Sequence, residues 1–192
     1  MKKLISLLLA VLMIFGLMAM PASAAGSEEN VARMWLCSKI NTKDPVDHFF
    51  LYFENLSNEP IKVGRYIVPV GGTVSVGSFG STGPDGGFGV YYNLETERDY
   101  YVDMLALSTL LTKSELNNVN SKIKNYNWWD PIFNCIFFSV RAWNAGGGKQ
   151  LPIIVFPSLM RRIIKNNGAA YEPFDLYKGN PHPVYKQTHL PK

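Results

Sequence analysis

Cys135 is the residue whose sequence context most clearly favours a reactive side chain. It follows Asn134 directly, and small or apolar residues recur behind it at the spacing of one helix face: Phe138, Ser139, Ala142 and Trp143. Asparagine is a preferred N-cap, so the pattern predicts a helix with Cys135 in its first turn. Unpaired backbone N–H groups and the helix dipole favour an anion there, which lowers the pKa of a thiol. The sequence therefore predicts a thiolate nucleophile at a helix start.

A second interpretation of the same stretch moves the helix start. Asp130-Pro131 is also an N-cap residue followed by proline, which is favoured at the first helical position. A helix that begins there places Cys135 about one turn further in, where the dipole acts more weakly. In that case Cys135 is a buried structural cysteine, which is common for this residue type. Both starts stay open on the sequence alone.

The other cysteine provides a competing prediction. The chain contains two cysteines, Cys37 and Cys135. In an oxidising compartment, two cysteines most simply form one disulfide. A bridged Cys135 cannot attack a substrate, so the disulfide and the nucleophile exclude each other.

His48 is the predicted general base. A cysteine nucleophile needs a base within hydrogen-bond reach, normally a histidine. Of the three histidines, His182 and His189 lie in a Pro- and Tyr-rich stretch without periodicity. His48 lies in the aromatic run VDHFFLYFE, which has the composition of a strand. A strand holds an imidazole in one place, so His48 is the candidate.

A third polar group is needed to orient the imidazole. If the predicted strands over 46–54 and 61–68 form a hairpin, Tyr66 lies roughly across from His48. Tyr66 is therefore the first candidate for a third catalytic residue. Asn93 and Glu95, on a later predicted strand, are the alternatives.

The elements that position these residues follow a simple order. Strands are predicted at 31–40, 46–54, 61–68, 73–79, 88–95 and 101–111. Helices are predicted from the capping box Thr112–Glu115 to about Asn125, from Cys135 to the glycines at 146–148, and over 157–165. Strands followed by helices indicate an α+β fold, with an antiparallel sheet packed against helices.

The chain begins with the layout of a secretory signal peptide. Lys2 and Lys3 precede an apolar run, which ends at the small-residue site Ala22-Ser23-Ala24. We expect residues 1–24 to be removed, residues 25–168 to form one domain, and residues 169–192 to form an irregular C-terminal tail. The expected mature protein is secreted by a bacterium and has no stable membrane anchor after cleavage.

Composition excludes two classes of function. The formal net charge of the chain is +4 at pH 7, and its basic residues are scattered, so the sequence predicts no nucleic-acid partner. The two cysteines and three histidines have no ligand-like spacing, so it predicts no metal and no other cofactor.

The order of these motifs resembles a known family. HFFLYFEN, VGSFG, GVYYNLE, a capped helix and NCxxFxxRxWN, spread over about residues 31–165, are similar to the circularly permuted branch of the NlpC-type, papain-like cysteine hydrolases. Lecithin:retinol acyltransferase-like proteins share that permuted fold. The resemblance implies Cys135 as nucleophile, His48 as general base, and acyl transfer from an amide or ester. For a secreted bacterial protein it implies a peptide substrate, including cell-wall stem peptides.

Two other functional classes remain open on the sequence. The chain departs from the family in having Asp47 and Phe49 on either side of the histidine, and Ile136 and Phe137 after the cysteine, where relatives have small residues. This departure is compatible with an inactive binding module of the same fold. In such a module Cys37 and Cys135 are bridged or buried. The third class is a small β-rich toxin or lectin-like binder that uses the Gly-rich loop at 80–87. A hydrolase requires Cys135 and His48 to be coupled, and the other two classes do not.

Overall fold

The computed structural model describes residues 28–41, 48–80, 87–97, 101–126, 130, 132, 134–171 and 183–189. Its strands are β1 (Asn30–Asn41), β2 (His48–Asn55), β3 (Ile61–Val63), β4 (Tyr66–Val68), β5 (Thr73–Phe79), β6 (Gly89–Tyr92), β7 (Tyr101–Thr112), β8 (Ala170–Tyr171) and β9 (Tyr185–Lys186). Its α-helices are α1 (Lys113–Lys124), α2 (Cys135–Ala145) and α3 (Pro157–Asn166). Short 3₁₀ helices span Leu94–Glu97 and Gln187–His189. The predicted signal peptide lies outside the described residues.

Seven of these strands form one antiparallel sheet in the order β8-β7-β1-β2-β5-β6-β9. Strand residues alternate between its two faces. One face, which includes Leu36, Phe49 and Leu51, packs with the apolar sides of the helices in the main core. The other face carries a separate cluster around Trp35 and Phe50. The predicted α+β class with an antiparallel sheet against helices is confirmed.

The sheet opens beside the start of β2. The pairing of β2 with β5 begins at Phe50 and Gly77 and runs away from His48. Beyond Gly77, β5 stays paired with β6 as far as Phe79. The first two residues of β2 therefore have β1 on one side and no β5 partner on the other. Helix α2 packs against β2 and β5 at this end of the sheet.

Two predicted strands are interrupted by turns. Residues 61–68 form the hairpin β3–β4, because Gly64 adopts a φ of 58° that a side chain would strain. This hairpin is a separate two-stranded sheet and does not pair with β2. Similarly, β6 ends at Tyr92 because Asn93 has a φ of 62°, a conformation that asparagine tolerates better than most residues. The chain then enters the 3₁₀ turn that contains Glu95.

The described parts of the expected C-terminal tail, residues 169–171 and 183–189, include the two short strands β8 and β9. β8 pairs with β7 and β9 pairs with β6, so the segment extends both edges of the sheet. Gln187 is buried, and its amide donates to the carbonyls of Ile123 and Tyr126 at 3.1 Å each. These bonds tie the segment to the end of α1. Residues 172–182, including His182, lie outside the described ranges.

Within the described ranges, no helix has the length and apolar character that crossing a bilayer requires.

Candidate active site

Helix α2 begins at Cys135, as the first interpretation of the sequence predicts. Asn134 has extended backbone angles, and its side-chain oxygen accepts from the N–H groups of Ile136 at 2.9 Å and Phe137 at 3.3 Å. The alternative start at Asp130 is wrong. The Asp130 carboxylate instead accepts from the Ile132 N–H at 2.7 Å, which forms a local turn before the helix.

The Cys135 sulfur lies where backbone donors and His48 converge. The N–H groups of Phe49 and Ile136 and the imidazole of His48 all hydrogen-bond to it. Phe49 is one of the first two residues of β2, which have no β5 partner. Burial by itself raises the pKa of the Cys135 thiol, but the His48 hydrogen bond, its charge and the two N–H groups outweigh burial and lower this pKa below its ordinary value. The site therefore favours a thiolate.

His48, at the first position of β2, is held between Cys135 and a carboxylate. Its Nε2 atom is 3.3 Å from Oε1 of Glu95, and its ring also hydrogen-bonds to Cys135. The ring packs against that of Phe79 with a centroid distance of 4.4 Å. Burial alone lowers the pKa of His48, but the hydrogen bonds and charges of Cys135 and Glu95 raise it to about 9. These contacts raise the pKa of the imidazole and lower that of the thiol, so they favour an imidazolium paired with a thiolate.

Glu95 is fully buried and is fixed from two sides. Its Oε2 accepts from the Ser75 hydroxyl at 2.5 Å. Asn93 anchors the turn that carries it, since Asn93 N–H donates to the Ser75 carbonyl at 3.0 Å and its side chain accepts from Ser75 N–H at 3.3 Å. Gly77 leaves the space that the carboxylate occupies. A Cβ on Gly77 would collide with Oε1 of Glu95 and lie 3.1 Å from Nε2 of His48.

Tyr66, the predicted third residue, is not at this site. It lies on β4, and its ring stacks on Tyr92 and Tyr185 at centroid distances of 5.6 and 5.7 Å. The prediction fails because β2 pairs with β1 and β5 and not with the 61–68 hairpin. Glu95, an alternative on the sequence, contacts His48 instead. Asn93, the other alternative, supports Glu95 through Ser75.

Two further residues near the pair have no signal in the motif analysis. Lys39 is the cross-strand partner of His48 and is only 3% exposed. Burial lowers the pKa of Lys39 to about 8, although the charge of Glu95 acts in the opposite direction. Tyr126 donates its hydroxyl to the Asn134 carbonyl at 3.4 Å, and burial raises its pKa. The two-residue period places Lys39 on the Cys37 face of β1, which is the only sequence hint of its position.

Neither cysteine forms a disulfide, and both lie in the described part of the chain. Cys37 is buried in the cluster around Trp35 and Phe50, on the face of the sheet away from the helices. Cys135 packs against the helix-side core. The sheet therefore separates the two sulfurs, and Cys135 remains a thiol or thiolate.

The described residues contain no group of three or more His, Cys, Asp or Glu side chains that could hold a metal ion. The chain has no significant match to a family model, a curated protein or a solved structure. The similarity to permuted NlpC-type hydrolases therefore stays a prediction, and the case for chemistry depends on the geometry of Cys135, His48 and Glu95.

Proposed function

We propose that this protein is a cysteine hydrolase or acyltransferase that acts on an amide or ester through Cys135, His48 and Glu95. One observation carries the proposal: the thiol at the start of α2 hydrogen-bonds to an imidazole whose Nε2 atom lies 3.3 Å from a buried carboxylate. The nucleophile Cys135, the base His48 and the orienting group Glu95 are thus connected by successive contacts, which is the arrangement that thiol catalysis requires.

The reaction begins with attack of the Cys135 thiolate on the substrate carbonyl carbon. A C–S bond forms while the carbonyl π electrons move to oxygen. The His48 imidazolium then gives its proton to the leaving nitrogen or oxygen, whose bond to carbon breaks, and a thioester remains. Water or another acceptor attacks the thioester and passes a proton to His48. The C–S bond breaks, which regenerates the thiolate and the imidazolium.

The oxyanion would be stabilised by the start of α2. The backbone N–H of Cys135 occupies the first helical position, where N–H groups have no intrahelical acceptor. The Tyr126 hydroxyl is a candidate for a second donor, because it lies 3.4 Å from the carbonyl oxygen of Asn134, the residue before Cys135. Its raised pKa keeps this hydroxyl protonated at neutral pH.

The order of these elements supports a permuted papain-like fold as part of the proposal. The His48 strand precedes the Cys135 helix in the chain, as in the permuted branch that the motifs resemble. Together with the predicted signal peptide, this order favours a secreted bacterial enzyme. A peptide, including a cell-wall stem peptide, is the substrate that fits this setting.

Acetyl transfer from p-nitrophenyl acetate tests the proposal. We expect a burst of nitrophenolate, a transient acetyl group on Cys135 by mass spectrometry, and continued turnover. Cys135→Ala should abolish all three signals, and His48→Ala should abolish turnover. The proposal is refuted if the Cys135→Ala protein, shown to be folded, releases nitrophenolate as fast as the wild type.

A further inference from the structure

Arg161 carries a positive charge that has little compensation among the described residues. It lies on the inner side of α3, next to buried Met160, and its Nη1 is 3.5 Å from the hydroxyl of buried Ser38. Its Nη2 is shielded from solvent and has no hydrogen-bond partner among the residues that the structure describes. The ion pairs found in the described ranges, Arg33–Glu54 and His48–Glu95, do not include Arg161. A shielded N–H group without an acceptor is unfavourable, so the unsatisfied Nη2 of this half-buried side chain calls for an explanation.

The position of Arg161 connects it to the candidate nucleophile by two routes. Ser38, which it contacts, is the cross-strand partner of Phe49, and the Phe49 N–H bonds to the Cys135 sulfur. The start of α3 is also joined to the start of α2, because the Asn134 side chain donates to the Val155 carbonyl at 3.3 Å. Arg161 is five residues beyond Phe156, the N-cap of α3, or roughly 8 Å along the helix axis.

We infer that Arg161 binds a carboxylate of the substrate close to the bond that Cys135 attacks, so that the enzyme prefers acidic acyl donors. This inference rests on the proposed function. A guanidinium matches a carboxylate through two parallel N–H···O bonds, which a single serine hydroxyl does not provide. The bound anion would supply both the missing acceptor for Nη2 and the missing counter-charge.

Tyr171 controls access to the guanidinium. Its ring lies over Arg161 with 6.0 Å between the ring centroid and the guanidinium carbon. Tyr171 belongs to the two-residue edge strand β8 and is 58% exposed. Because Tyr171 lies at the edge of the sheet and its ring is exposed, a ligand can displace the ring and reach Nη2.

The test compares two reagents that alkylate the same sulfur. Iodoacetate and iodoacetamide both form a C–S bond with Cys135 and release iodide, but only iodoacetate carries a carboxylate. Each second-order rate constant is measured at pH 7 on the full mature chain, with Cys135 modification read by mass. We expect the iodoacetate-to-iodoacetamide rate ratio to fall at least about tenfold in Arg161→Gln, since a charged hydrogen bond is lost.

Arg162→Gln is the matched control, because Arg162 is the exposed neighbour on the same helix and the variant loses the same charge. Its ratio should stay within about twofold of the wild type, because exposed charges are screened by solvent. In the wild type, acetate should slow iodoacetate and acetamide should not, a measurement that needs no variant to fold. Arg161→Lys should give an intermediate ratio.

Equal ratios in Arg161→Gln and Arg162→Gln, or equal competition by acetate and acetamide, would overturn the inference. Fast, His48-dependent reaction with iodoacetamide in the same experiment would leave the proposed function standing. Slow reaction with both reagents, unaffected by His48→Ala, would instead remove the proposed function itself.

Discussion

The strongest prediction concerns Glu95→Gln, which removes one charge and keeps the shape of the side chain. Glu95 is fully buried and His48 is only 13% exposed, so their interaction is weakly screened by water. The pKa of His48 is about 9 instead of its ordinary 6.5. At 1.36 kcal/mol per pKa unit, this net shift corresponds to roughly 3 kcal/mol, in which the contacts with Cys135 and Glu95 outweigh the opposing effect of burial. Loss of the Glu95 charge should therefore remove about 1–2 kcal/mol.

The sign of the effect follows from linkage. Folding raises the pKa of His48 from 6.5 to about 9. The contribution of the protonated His48 to the free energy of unfolding is therefore complete below pH 6.5 and disappears as the pH rises through about 9. Glu95→Gln should thus lower the free energy of unfolding by about 1–2 kcal/mol more at pH 6 than at pH 10. Lys39 changes the stability of the variant in the same direction. While Lys39 is protonated, Glu95→Gln removes its favourable interaction with the Glu95 charge.

Urea unfolding at both pH values, with NMR titration of the His48 ring, measures these changes. The NMR titration should show the His48 pKa about one unit lower in the variant. Glu54→Gln is the control, because Glu54 pairs with Arg33 at 3.6 Å on the exposed surface and should show little effect at either pH. An unchanged His48 pKa, or an equal loss of stability at pH 6 and pH 10, would refute the reasoning.

Three further substitutions test the supporting residues. Gly77→Ala places a Cβ against the Glu95 carboxylate, so calorimetry should show a loss of about 1–3 kcal/mol, and unchanged stability would contradict the geometry. Asn134→Ala removes the N-cap of α2, so urea unfolding should show a loss of about 1 kcal/mol and Cys135 should be alkylated more slowly. Asn134→Asp keeps a capping oxygen and should retain most of the stability. Tyr66→Phe should leave the alkylation rate unchanged, and a large decrease would restore Tyr66 as a third residue.

The features that the sequence predicts correctly are local ones. The start of α2 follows from the capping preference of Asn134, and α1 begins with the predicted capping box at Thr112. Composition and aromatic residues suffice to place His48 on a strand. Each of these signals needs only a few neighbouring residues, so no knowledge of the tertiary structure is required.

The features that it misses depend on distant pairing. Tyr66 fails as a third residue because its choice assumed which strand lies beside β2. Glu95 is only one of two alternatives on the sequence, because its contact with His48 depends on the turn at Asn93 and on the space that Gly77 leaves on β5. Arg161 reaches Ser38 from a helix more than a hundred residues away in sequence. No local pattern encodes these long-range contacts.

The pH dependence of Cys135 alkylation by iodoacetamide, in the wild type and in His48→Ala, tests the central claim most directly. We predict fast modification of Cys135 well below pH 8.5, the approximate pKa of an ordinary thiol, and its loss or shift to higher pH in His48→Ala. Buried Cys37 should react slowly in both proteins and serves as an internal reference. Modification of Cys135 that rises only near pH 8.5, at the same rate in both proteins, would contradict a thiolate–imidazolium pair.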